Sequence, residues 1–267
     1  THPGTRAGKI AILLPSLEGG GAERSMLNLA KGFLARGRGV DLVLCQAKGA
    51  LLDEIPAGAT MTELEATGGF WARWIIVKGN PKDFFARLRP VLLAKKIAPE
   101  VARIQSLQTY IADSRPDVIL SALPYANLCA LWTKEISGSR VPVIVSERIA
   151  LSTHCAAPSN FRKWKWRYLP ELVRRTYPKA DRVIAVSDHV ADELITTIGL
   201  HQDSVTTVHN PVVDDNLRTR AQQTLEHPWF AQDEPPVILA AGRFTEQKDF
   251  ATLIHAFAAV RTDREAR

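Results

Sequence analysis

Seven short runs rich in β-branched residues recur along the chain, at residues 10–14, 40–45, 118–121, 143–146, 183–186, 205–208 and 237–240. Most are almost continuously apolar, without the polar alternation of a strand that faces water on one side. Strands of that kind are buried on both faces, which requires helices above and below the sheet. The stretches between them carry helical periodicity, over residues 22–36, 82–97, 99–114, 127–136, 160–177, 188–198 and 249–260. Regular alternation of this sort predicts an α/β fold with a doubly wound parallel sheet, whose ligands bind at the carboxyl ends of the strands.

The pattern also divides the chain. Residues 1–8 read as a polar tail and residues 9–214 as one Rossmann-like domain. Residues 215–235 are polar and lack a strand signal, as a linker would. Residues 236–267 then hold one strand and one helix, too little to bury a core, so a second domain is expected to begin there without being completed. The hydrophobic fraction of 46% and charged fraction of 23% exclude disorder and collagen-like repeats. No apolar run approaches the roughly 18 to 20 residues that cross a bilayer. Cys45, Cys129 and Cys155 are odd in number and lack a CxxC spacing, which speaks against a disulfide framework or zinc site and for a reducing, cytoplasmic setting.

The formal net charge of +6 comes from one place. Between Phe161 and Lys179 stand seven basic residues and one acid, Glu171, and everywhere else 27 basic residues balance 27 acidic ones. Lys163, Lys165 and Arg167 alternate with Trp164, Trp166 and Tyr168. A basic, aromatic stretch suits an anionic membrane surface or a phosphate-bearing ligand; a solvated helix with inward-facing aromatics explains it equally well. No recognition motif accompanies it, so a nucleic-acid partner is not expected.

Two loops carry candidate chemistry. Pro15 to Gly21 runs from the first strand into a helix near Ala22, and its three glycines allow backbone to approach a phosphate or sugar at the positive end of that helix. It matches neither a Walker loop nor GxGxxG, since Arg24 stands at the third glycine position. A structural turn is the plain alternative. The second loop, 241–250, places Arg243 and Lys248 before the last helix, where two cations could stabilise charge on a diphosphate, unless both are simply solvated.

The string GGGAERSMLNLA from Gly19 to Ala30 resembles the amino-terminal signature of the retaining GT-B glycosyltransferases of family 4. So do Arg115-Pro116-Asp117-Val118-Ile119, Ser146-Glu147-Arg148, residues 180–187 and Val208-His209-Asn210-Pro211-Val212, and GRFTEQKDFATLIHAFA from Gly242 to Ala258 resembles the start of that family's second domain. Six strings stand in family order across nearly all of residues 9–260. The resemblance implies a sugar transferred from a UDP- or GDP-linked donor to a glycan or lipid-linked acceptor, with retained configuration and no catalytic metal. It implies that Gly20 and Gly21 approach the donor, and that Arg243 and Lys248 hold the departing diphosphate as catalytic groups. Many relatives have a sugar-contacting His where this chain has Arg148, after Glu147; those two, with Ser187 and Asn210, are the candidate acceptor or sugar contacts. The family's E-x7-E pair, far along the second domain, is absent, so the chain by itself is expected to be inactive.

Other readings are weaker. Ser187 fits the N-cap of the helix that follows it, and His209 a turn before Pro211. His154 and Cys155 are adjacent and lack an orienting acid, so they are not a nucleophile pair. Trp71, Trp74 and residues 75–77 suit an apolar loop near the acceptor entrance or ordinary core. A different class of function, a non-catalytic domain binding an acceptor or an anion, fits the incomplete second domain. The transferase reading places the chain in the cytoplasm, peripheral on the inner face of the membrane.

Overall fold

A computed structural model of the chain describes residues 8–79, 91, 97–213, 215–242, 244–245 and 248–267. Most of the tail and of the helix expected over 82–97 lies outside the described residues. The chain separates into two compact units, Thr1–Val212 and Val213–Arg267.

In the first unit, β1 (Lys9–Leu14), β2 (Gly39–Leu44), β3 (Thr60–Glu63), β4 (Val118–Ala122), β5 (Val143–Glu147), β6 (Arg182–Ala185) and β7 (Val205–Thr207) form one sheet. Its order is β3-β2-β1-β4-β5-β6-β7 and every pairing is parallel, with Ile10 opposite both Val40 and Val118. The fold is α/β and doubly wound. On one face, α1 (Gly21–Leu34) sets Met26, Leu27 and Ala30 against Ile12, Leu14 and Leu42. The other face carries α2 (Gly69–Gly79), α3 (Ile104–Ser114) and α4 (Pro124–Ser137), with the short helices α5 (Leu151–Ala156), α6 (Pro158–Phe161) and α7 (Trp164–Arg167) and then α8 (Leu169–Thr176) and α9 (Asp188–Thr196).

Helix α4 is the most buried of these because its sequence is apolar all round, from Tyr125 to Trp132. Pro124 starts it, where a missing N–H costs nothing, and Gly138 ends it at φ 64. Trp132 is wholly buried, and its indole N–H donates to Thr176 at 3.3 Å. Truncating such a side chain to Ala costs about 3–5 kcal/mol.

Three expectations are corrected. The edge strand β3, Thr-Met-Thr-Glu, has no apolar run, since only its inner edge is paired and its side chains are largely exposed. The helix expected over 160–177 is broken into α6, α7 and α8, and Pro170 opens the last of them. The strand expected over 237–240 does not form: these residues are irregular, and the N–H of Ile238 donates to the carbonyl of Arg267. In that second unit α10 (Asp215–Ala221) falls in the stretch read as linker, and α11 (Phe250–Asp263) forms as expected, capped by the side chain of Asp249.

Candidate functional site

Strand order reverses between β1 and β4, and the crevice at such a switch point is where doubly wound sheets hold their ligands. A cavity of about 500 Å³ opens there. Pro15 and Ser16 line it after β1, Cys45, Gln46 and Lys48 after β2, and Leu123 to Tyr125 after β4. Leu123 sits at φ 78, a conformation disfavoured for a side chain of its size and one that collects at ligand sites.

The glycine loop on this rim is held by its neighbour. Leu17 N–H donates to the carbonyl of Lys48 at 2.9 Å, Leu51 N–H donates to the carbonyl of Leu17 at 3.0 Å, and Lys48 pairs with Glu18 at 2.8 Å. Gly49, at φ 122, makes the approach possible, since a Cβ there would stand 2.0 Å from the oxygen of Leu17. Gly20 caps α1 without any side-chain bond, and a Cβ on Gly21 would meet only open space. Both glycines are exposed beside the unfilled amide groups of the helix.

The far wall of the cavity comes from the charged segment. Lys165 and Trp166 line it, with Tyr125 and His154. Trp166 meets His154 edge to face with ring centres 4.7 Å apart and Tyr125 at 6.3 Å, while Tyr125 donates its hydroxyl to the carbonyl of Lys165 at 2.5 Å. Burial, then the charges of Lys163 and Lys165, push His154 below its ordinary pKa. Glu100 faces the same space, and burial raises its carboxyl. Trp166, expected on the outer surface, is therefore a wall of the cavity. Lys163, Trp164 and Arg167 do remain exposed, with Arg167 over the rings of Phe161 and Tyr168. Arg174 and Arg175 are spent on Glu171, and Lys179 on Glu135.

A second cluster gathers at the ends of β5 and β7. Arg148 donates from Nη1 to Oδ1 of Asn210 at 2.8 Å, and Ser25 of α1 donates to the same oxygen at 3.0 Å. Asn28 donates to the carbonyl of Pro211 at 2.8 Å, so α1 is tied to the segment that follows β7. Glu147, beside Arg148 in sequence, points the other way. It is wholly buried, accepting from the hydroxyl of Tyr177 at 2.8 Å and from the N–H of Arg148 at 3.0 Å. Tyr177 in turn accepts from Asn127 at 2.8 Å. Burial lifts the Glu147 carboxyl to about 7. In this arrangement Glu147 supports the loop from beneath and does not line the cavity, contrary to its expected role as a sugar contact.

Ser187 accepts from the N–H of Val190 as the N-cap of α9. Lys248 is exposed in the second unit, just before α11, and Arg243 lies outside the described residues. The aromatic cluster of α2 is a helix, not a loop: Ala72 and Ile76 are buried, and Phe70, Trp71 and Trp74 are exposed on its other side. The three cysteines are free and buried, with burial raising Cys129 and Cys155 to about 12. Among the described residues no cluster of three His, Cys, Asp or Glu side chains could hold a metal ion, and no helix is long and apolar enough to cross a membrane.

Solved structures share this fold. A glycosyltransferase from Rickettsia africae ESF-5 superimposes with a TM-score of 0.56 at 15% identity, over 98% of this chain and 60% of that one. The lipopolysaccharide outer core galactosyltransferase WaaB, in its apo form, gives 0.54 at 16% identity, over 94% and 57%. Anabaena HepE, solved in complex with UDP-glucose, gives 0.51 at 16%, over 97% and 68%. The chain thus spans about 60% of the length of the first two. No curated protein matches the chain. Residues 19–216, which contain Gly19 to Gly21, Lys165, Trp166 and Asn210, match Glycosyltransferase Family 4. The chain belongs to that family.

Proposed function

We propose that this chain carries the acceptor-side domain of a retaining, metal-independent glycosyltransferase, which moves a sugar from a UDP- or GDP-linked donor to a glycan or lipid-linked acceptor. The observation that carries the reading is the cavity at the strand switch point, bordered by the glycine loop on one side and by Trp166 and Tyr125 on the other. An aromatic face suits the apolar face of a sugar ring, and the carboxylate of Glu100 can accept its hydroxyls. The donor diphosphate approaches Gly20 and Gly21 at the amino end of α1, and Arg243 and Lys248, from the start of the nucleotide-sugar-binding domain, stabilise its departure.

Residues 9–214 form the acceptor-side domain in this reading and residues 236–267 open the donor-side one. The exposed Lys163, Trp164 and Arg167 lie against an anionic membrane surface on the cytoplasmic side, with Lys165 and Trp166 between that surface and the cavity. Titrating the chain with nucleotide sugars and, separately, with acceptor glycans tests the assignment. Acceptor binding that is lost in Trp166→Ala supports it; acceptor binding unchanged by that substitution removes the cavity from the account.

A further inference from the structure

The cavity at the strand switch point holds a carboxylate that no other part of the protein answers. Glu100 stands just before the turn that leads into α3, and its charge is felt by Lys165 on one wall of the cavity and Lys48 on another. Apart from its own backbone N–H, no described residue donates a hydrogen bond to it. Neither of its oxygens belongs to the buried polar atoms that lack a partner, so the carboxylate is open to the cavity. A half-buried anion short of donors is costly, and a ligand that supplies them removes the cost.

The neighbouring charges limit what that ligand can be. Glu18 is paired with Lys48 at 2.8 Å, and the carboxylate of Glu23 lies against Gly20. Glu100 and Lys165 have no ion-pair partner among the described residues. An acidic sugar seated beside Glu100 would bring a second carboxylate to the first. A cationic sugar meets the opposite obstacle, because the ammonium of Lys165 already stands over the Trp166 ring, 5.0 Å from its centre. An uncharged sugar satisfies both groups: its hydroxyls donate to Glu100 and accept from Lys165, and its apolar face lies against the aromatic wall.

We infer that Glu100 sets the specificity for the acceptor, its carboxylate accepting the hydroxyls of an uncharged sugar and discriminating against sugars that carry a carboxylate or an amine. This rests on the acceptor occupying the cavity, as proposed above. A site that hydrogen-bonds a hydroxyl rejects the analogue lacking it far more strongly than an apolar pocket rejects a change of size.

Calorimetric titration of the 267-residue chain with methyl glycosides of glucose, galactose and mannose, each also as its uronic acid and its 2-amino sugar, tests the assignment. Saturable binding of at least one neutral glycoside is expected, at least tenfold tighter than that of its two charged counterparts. Glu100→Gln should weaken this binding at least tenfold, since an amide is the poorer acceptor and sets a donor where a hydroxyl must donate, and should melt no lower than the wild type. Among the monodeoxy forms of the glycoside, the one lacking the hydroxyl held by Glu100 should bind wild type and variant alike. Binding that Trp166→Ala abolishes but Glu100→Gln leaves intact overturns the inference and spares the cavity as the acceptor site; binding that neither substitution changes overturns both. Charged sugars bound as tightly as the neutral one, no saturable binding of any neutral glycoside, or a Gln variant that melts lower and loses every deoxy form equally also overturns the inference, while sugar transfer by the gene product tests the transferase reading separately.

Discussion

Tyr177 donates its phenolic hydrogen to Oε2 of Glu147 across 2.8 Å, and neither side chain has any solvent exposure. The bond is the last link of a buried chain in which Ser121 donates to Asn127, Asn127 to Tyr177 and Tyr177 to Glu147. It joins α4 to the end of β5, immediately beneath Arg148. A carboxyl raised by burial to about 7 from an ordinary 4.5 binds its proton more tightly in the folded chain than in the unfolded one. Its contribution to stability is whole below about pH 4.5 and is lost as pH rises through about 7. At 1.36 kcal/mol per pH unit the span is about 3 kcal/mol. Urea unfolding of the wild type and of Glu147→Gln should therefore show the Gln variant gaining on the wild type between pH 5 and pH 8. A constant difference across that range would contradict the assignment.

Gly49→Ala should destabilise the first unit and loosen the glycine loop. Its φ of 122 is strained for alanine, and the new methyl group would overlap the carbonyl of Leu17, which is backbone and cannot swing aside. A loss of more than about 2 kcal/mol by denaturant unfolding is expected. Amide exchange at Leu17 and Leu51 should quicken in the variant, and a stability within error of the wild type would show that the loop relaxes freely.

Trp166→Ala should raise the Michaelis constant for the acceptor about fivefold and leave that for the donor unchanged, as expected for loss of an aromatic contact of about 1 kcal/mol. Trp166→Phe, which keeps a ring against His154, should recover most of the difference. Equal effects on both substrates would point to a collapse of the cavity wall.

Reversing Lys163, Lys165 and Arg167 to Glu should weaken binding to phosphatidylserine vesicles on the order of a hundredfold, at about 1 kcal/mol per basic residue near the surface. The effect should fade in high salt. Vesicle binding that is unaffected removes the membrane from the account without touching the cavity.

The sheet was legible wherever a strand is buried on both faces, because burial leaves only apolar residues to choose from. β1, β2, β4 and β5 follow directly from that. β3 was not, since an edge strand with exposed side chains has no such restriction. Residues 237–240 have the composition of a buried strand but no strand beside them among the described residues, and a strand is defined by its neighbour. Of the site, the glycine loop was visible as a cluster of one residue type. Lys165 and Trp166 were visible only as charge and aromaticity; that they line a cavity is decided by packing, which the sequence does not carry. The burial of Glu147 has no sequence signal, because only packing decides which side of a strand end is covered.

The most direct test of the account is transfer of a radiolabelled sugar from a UDP- or GDP-linked donor to a glycan or lipid-linked acceptor. It should use the gene product, including any sequence encoded beyond Arg267, and compare the wild type with Lys248→Ala. The account predicts transfer by the wild type without added metal and a fall of roughly a hundredfold or more in the variant, the effect of removing one preorganised cation from developing charge. Transfer by Lys248→Ala at the wild-type rate, or no transfer from any nucleotide sugar by the wild type, would contradict it.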